Sequence, residues 1–161
     1  ALSLKHNNVG DHFAIYVPDP DIIFHRFSKL CFLGDEYARP GDETTIIAEV
    51  TFRDGDNISL MSERELVESV ISGLVKLGMC SELDILSYDV RTQKYAYVIY
   101  DLDHRKHTDI VLRYLQKVGI ESVGRFAEFE YLNTDAVVEN TLKLARYLNG
   151  SSEIDFAKFY A

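Results

Sequence analysis

Apolar residues recur along this chain with two different periods. Between Ser62 and Gly78, Leu66, Val70, Leu74 and Leu77 fall on one helical face, with Val67, Ile71 and Val75 beside them. Ser62-Glu63-Arg64-Glu65 opens that stretch as a capping box and Gly78 ends it, which predicts an amphipathic helix. A second helix is predicted over 104–118, capped by Asp103, with Ile110, Val111, Tyr114, Leu115 and Val118 on one side and Gly119 at its end. A third is predicted over 134–148. The remaining apolar runs are short and rich in β-branched and aromatic residues. His12–Val17, Ile22–Leu30, Thr45–Phe52, Leu83–Val90, Tyr95–Tyr100 and Val123–Tyr131 read as strands, broken by turn residues such as Pro18-Asp19-Pro20 and Asp54-Gly55-Asp56-Asn57. The expected order is β-β-β-α-β-α-β-α. Short strands between tight turns argue for a mainly antiparallel sheet of about five or six strands packed with about three helices, an α+β fold.

Composition narrows the class. A chain of 161 residues, 47% hydrophobic and 27% charged, can build one core of ordinary size without disulfides or metals. With 26 acidic residues against 17 Lys and Arg, the formal net charge is −9, which disfavours binding to a nucleic-acid backbone. Arg91, Lys94, Arg105, Lys106, Arg113 and Lys117 read as a solvated rim, too diluted by acids for a nucleic-acid surface. Two cysteines, Cys31 and Cys80, make neither a disulfide framework nor a metal quartet. The first residues lack the apolar core of a signal peptide, and no run approaches the length of a membrane span, so the expected location is the cytoplasm. No two glycines are separated by a single residue, which excludes the G-x-G-x-x-G fingerprint, and the Gly73/Gly78 pair is not followed by a phosphate-loop lysine.

The segment Gly124-Arg-Phe-Ala-Glu-Phe-Glu-Tyr-Leu-Asn-Thr-Asp135 places an arginine at the start of a predicted strand and a polar cap at the start of a helix. The free amides and positive dipole end of such a helix suit an anion or a carbonyl oxygen. Arg26 offers a planar fork that matches phosphate oxygens, and equally matches a carboxylate on a protein surface. Tyr95 and Tyr97 would share one face of a regular strand. Asp101, Asp103, His104 and His107 cluster before and within the second predicted helix, but the acids suit capping and no third ligand has regular spacing, so no metal is expected. His25 reads as a strand residue rather than a base.

Gly124, Arg125, Glu128, Tyr131 and Asp135 resemble the C-terminal flavin-contacting segment of UDP-galactopyranose mutases and related amine-oxidase-like FAD-dependent oxidoreductases. The likeness departs at Asn133, where the mutases usually carry an acid. Ile22-Ile-Phe-His-Arg26-Phe resembles the family stretch before the substrate site, and Thr45-Ile-Ile-Ala-Glu49-Val the strand after it. Tyr95-Ala-Tyr97-Val-Ile-Tyr100, with Tyr97 28 residues before Arg125, resembles a Tyr-Tyr-Pro run in which Val98 replaces the proline. The resemblance spans roughly residues 12–148.

That resemblance implies the C-terminal part of an FAD-dependent enzyme, a mutase or an oxidoreductase, lacking the N-terminal Rossmann half that holds most of the cofactor. It implies catalytic roles for Arg26, Tyr97 and Tyr131, with Arg26 gripping the diphosphate of a nucleotide sugar or an equivalent anionic group. Gly124, Arg125, Asn133, Thr134 and Asp135 would contact the FAD. It divides the chain into a substrate-binding sheet domain (1–121), a strand and helix returning to the FAD domain (122–150) and a C-terminal tail (151–161). The fragment alone is expected to be inactive. Its expected partners are a small-molecule substrate and the missing half, with a homo-oligomer through the exposed face as an option and no nucleic acid or membrane. The alternatives are an amine-oxidase- or protoporphyrinogen-oxidase-like fragment and a stand-alone, non-catalytic ligand-binding module.

Overall fold

The computed structural model describes residues 1–150; the tail expected at 151–161 lies outside the described residues. Five strands form one antiparallel sheet: β1 (Leu2–Leu4), β2 (Ala14–Tyr16), β3 (Arg26–Lys29), β4 (Thr44–Glu49) and β5 (Ile85–Tyr88), in the order β2-β3-β4-β1-β5. Three α-helices accompany them: α1 (Glu63–Lys76), α2 (His104–Lys117) and α3 (Thr134–Leu148). The fold is α+β, a five-stranded antiparallel sheet with three helices, in line with the expected sheet of about five or six strands and about three helices. The chain divides into two compact units, Ala1–Thr92 and a second beginning at Gln93; the family reading put its own division at 121/122.

The first unit holds the whole sheet and α1. β1 pairs with β4 through Leu2↔Ile46 and with β5 through Leu2↔Tyr88, so three N-terminal residues occupy an interior position of the sheet. A three-residue strand is too short for alternation to declare itself, which is why the pattern did not show it. Leu2 and Leu4 are buried, and with Phe27, Ile46, Phe24, Ile22, Val70 and Leu74 they form the core. Phe24 and Phe27 meet edge to face at 5.9 Å. α1 joins this core through Val70 and Leu74, and Gly73 stands between them in sequence because a Cβ there would meet Phe24 Cε1 at 2.9 Å. Its capping box forms as expected: Ser62 Oγ accepts from the Glu65 amide, and the Glu65 carboxylate accepts from the Ser62 amide at 2.8 Å. Lys29 is buried, with no carboxylate partner among the described residues; its ammonium donates to the Gly10 carbonyl and lies 5.2 Å from the Phe32 ring centre. Burial pushes the Cys80 thiol up, away from reactivity, and Cys31 and Cys80 are both free.

The second unit departs from the pattern. Tyr95–Tyr100 and Val123–Tyr131, both expected as strands, are not strands. β propensity needs a neighbouring edge, and among the described residues the second unit contains no strand to supply one. Residues 124–131 instead wind through tight turns: the Glu128 amide bonds the Gly124 carbonyl at 2.8 Å, and the Glu130 amide bonds the Arg125 carbonyl at 3.0 Å. Gly124 (φ 101°) and Phe129 (φ 54°) both adopt positive φ, which interrupts regular strand extension. α2 and α3 lie where predicted. Their cap residues do not behave as expected, however: neither Asp103 nor Asn133 makes a side-chain capping hydrogen bond. Asp103 instead gives its amide to Asp101 Oδ1 at 3.0 Å. Among the described residues, no helix is long and apolar enough to cross a membrane.

Candidate functional site

Three of the residues singled out in the sequence come together in the second unit. The Arg125 guanidinium lies over the Tyr131 ring, 4.2 Å from its centre, and 5.1 Å from the centre of Tyr97. The two tyrosine rings are themselves nearly parallel, at 15°, with centres 5.9 Å apart. Among the described residues Arg125 makes no ion pair and donates no hydrogen bond. Aromatic faces hold a guanidinium by quadrupole attraction and flat contact without neutralising its charge. The clasp therefore orients a cation and leaves its in-plane N–H groups for another molecule.

The backbone beneath this cluster is fixed by side-chain hydrogen bonds and an ion pair. Glu128 is buried and its Oε1 accepts the Gly124 amide at 2.7 Å, closing the turn from which Arg125 projects. Gly124 thus supplies a left-handed turn, and its N–H is already committed within the chain. Tyr100 donates to Glu130 Oε2 at 2.9 Å and accepts the Tyr131 amide, while Arg105 pairs with Glu130 at 2.9 Å. These contacts anchor the backbone at Tyr131, one partner in the clasp. Sequence reasoning placed Tyr100 only in a strand and did not single out Glu130. An acid at the fourth position after a glycine, as in Gly124…Glu128, was the available sign of a side chain folding back onto its own turn.

Asn133 precedes α3 in an extended conformation, Thr134 is its first residue, and Asp135 lies in its first turn. Because Asn133 supplies no capping bond, the first-turn amides of α3 lack a side-chain acceptor from that position. Asp135 complements the helix dipole there.

Arg26 belongs to the first unit, on β3, directly opposite Glu49 of β4. Its Nε and Nη2 donate to the two Glu49 oxygens at 2.8 and 2.7 Å, and Nη1 donates to the Tyr16 hydroxyl at 3.0 Å. Glu49, and then Tyr16, hold the Arg26 proton more firmly than usual. Nη2 also lies 2.6 Å from the other Glu49 oxygen, so the guanidinium is largely taken up by this carboxylate. The surface-pair reading of Arg26 describes this geometry. No cluster of three or more His, Cys, Asp or Glu residues that could hold a metal occurs among the described residues. Set beside known proteins, the chain matches no family model and no curated protein.

Proposed function

We propose that this chain is the C-terminal, substrate-side and flavin-contacting part of an FAD-dependent enzyme resembling UDP-galactopyranose mutase, working in the cytoplasm with an N-terminal Rossmann half. The observation that carries the reading is the Arg125 guanidinium, held over Tyr97 and Tyr131 with no carboxylate partner among the described residues. A fixed cation of that kind suits the edge of a ring system that gains negative charge on reduction. The first-turn amides of α3, which receive no bond from the Asn133 side chain, support it as further donors.

The donor set suits the group. Arg125, with Asn133, Thr134 and Asp135 at the start of α3, would hold the ring, and Gly124 would serve by making the turn. Bound FAD supplies the redox chemistry that side chains lack. The chain's own part is to orient: Tyr97 and Tyr131 keep the guanidinium in one plane and present hydroxyls to a substrate. The second unit also supports a partner polypeptide, because Val98 and Leu112 are its only buried hydrophobic residues among those described, while Ile99, Leu102, Phe126, Val138 and Leu142 are exposed. That surface is read as the face that meets the missing half, rather than as a homo-oligomer contact.

One observation favours the oxidoreductase reading over the mutase. Arg26 is nearly neutralised by Glu49, which leaves little charge for a diphosphate. The test uses the enzyme that carries this chain. Arg125→Ala should lower the flavin midpoint potential and weaken flavin binding by about tenfold or more. Arg26→Ala should raise KM for a nucleotide sugar about tenfold in a mutase and leave an uncharged substrate unaffected in an oxidoreductase. An unchanged potential and flavin affinity in Arg125→Ala would overturn the flavin role.

A further inference from the structure

A cavity of about 390 Å³ opens in the second unit between α2 and the turns of residues 126–129. Its volume falls within the range of small-molecule sites. Tyr97, Arg125 and Tyr131 do not line it. Val111, Leu112, Phe126 and Phe129 give it apolar walls, and three of its polar side chains are more than nine-tenths buried: Glu128, 4% exposed, and His104 and Thr108, each 7% exposed.

Glu128 and His104 each keep an unused acceptor. Glu128 spends Oε1 on the Gly124 amide, and among the described residues Oε2 makes no hydrogen bond or ion pair. The His104 Nε2 lies 2.9 Å from the Phe129 carbonyl oxygen. A carbonyl can only accept, so Nε2 carries the proton and Nδ1 of the neutral ring is left as an acceptor, again with no partner among the described residues. Asp101 adds a second carboxylate to the lining. Of the nearby cations, Arg105 pairs with Glu130 and Lys106 with Asp103, while Arg125 lies over the Tyr97 and Tyr131 rings and does not line the cavity. The remaining polar side chains of the lining change little, since Thr108 donates to the backbone of its own helix and His107 is exposed. An apolar chamber whose two unpartnered side-chain atoms on Glu128 and His104 are both acceptors, with carboxylate charge and two phenylalanine rings in its lining, is complementary to a donor that is positively charged.

We propose that this cavity binds a primary ammonium carried on a compact apolar body, with the ammonium donating to Glu128 Oε2 and His104 Nδ1. The proposal does not depend on the flavin reading. Titration calorimetry on the full chain at neutral pH, with benzylamine, benzyl alcohol and benzoate as probes, tests it. Benzylamine should bind at one site, benzyl alcohol about tenfold more weakly or worse, and benzoate not at all. Amide shifts in a heteronuclear NMR spectrum should centre on His104, Glu128 and Phe129. Glu128→Gln keeps an oxygen for the Gly124 amide and should weaken benzylamine about tenfold while leaving benzyl alcohol unchanged. Should that variant fail to fold, Val111→Trp, at an exposed position of the lining, should block the cavity with Glu128 intact. No saturable benzylamine binding, equal binding of the alcohol, or binding unaffected by a folded Glu128→Gln or Val111→Trp would overturn the proposal.

Discussion

Glu65 shows how one side chain fixes where a helix begins. Its carboxylate takes the Ser62 amide at 2.8 Å and the Ser62 hydroxyl at 2.7 Å, and these bonds hold its pKa below the usual carboxylate value. Ser81 and Asp84 repeat the arrangement ahead of β5, with the Asp84 carboxyl also lowered, first by the Ser81 amide. The folded pKa is depressed, so this stabilisation is present above the unfolded pKa and is lost as pH falls through the folded value. Glu65→Gln should therefore lower the Tm at neutral pH, and the difference from wild type should close as acidification protonates the Glu65 carboxyl in the folded state. Thermal unfolding followed by circular dichroism from neutral to acid pH reads the convergence; a gap that stays constant with pH would remove the charge from the explanation. The same scale explains what was legible at the candidate site. Arg125, Tyr97 and Tyr131 stood out through the family resemblance, which put the two tyrosines in one pocket. That the guanidinium would lie on both rings was not visible from their positions in the chain.

At the scale of elements, α1 depends on an absence. Glycine inside a helix ordinarily costs about 1 kcal/mol relative to alanine. At Gly73, however, an added methyl would stand 2.9 Å from Phe24 Cε1 and 3.1 Å from Ile22 Cγ2, and Phe24 is fully buried. Gly73→Ala should destabilise the first unit by about 1–3 kcal/mol despite its better helix propensity, measured by urea unfolding. Adding Phe24→Leu to Gly73→Ala should recover part of that loss, because the clash disappears with the ring. A stabilised Gly73→Ala would show that α1 does not approach Phe24 this closely. The helices were readable because capping and periodicity are local; α3 runs Thr134–Leu148, as the pattern indicated. The two failed strands were not local questions. Tyr95–Tyr100 and Val123–Tyr131 carry strand composition, but a strand forms only where an edge is offered, and Phe129 at positive φ turns the second of them away from extension.

Across the whole molecule the two units differ in how much apolar surface they bury. The first encloses Leu4, Phe24, Phe27, Ile46 and Leu74 completely. In the second, the apolar faces of α2 and α3 leave Val111, Tyr114, Val118, Val138 and Leu142 exposed. Local opening follows buried apolar contact, so amides in β1, β4 and α1 should exchange at least about a hundredfold more slowly than those in α2 and α3. Hydrogen exchange read by mass spectrometry tests this on the intact chain. Equal protection in the two units would mean that the second has a covering these exposures do not reveal.

The order of residues alone determined the three helices, the antiparallel α+β class and the polar, arginine-bearing segment ahead of α3, because capping boxes, periodicity and turn residues act within a few positions of one another. Only the tertiary structure decided that Leu2–Leu4 is an interior strand, that Arg26 is taken by Glu49, that Arg125 lies on the faces of Tyr97 and Tyr131, and that Glu128 is buried with one oxygen unused. Each of those outcomes depends on a partner many residues away or on a backbone turn that composition disfavours, and pairing across such distances is settled by which surfaces the folded chain brings into contact.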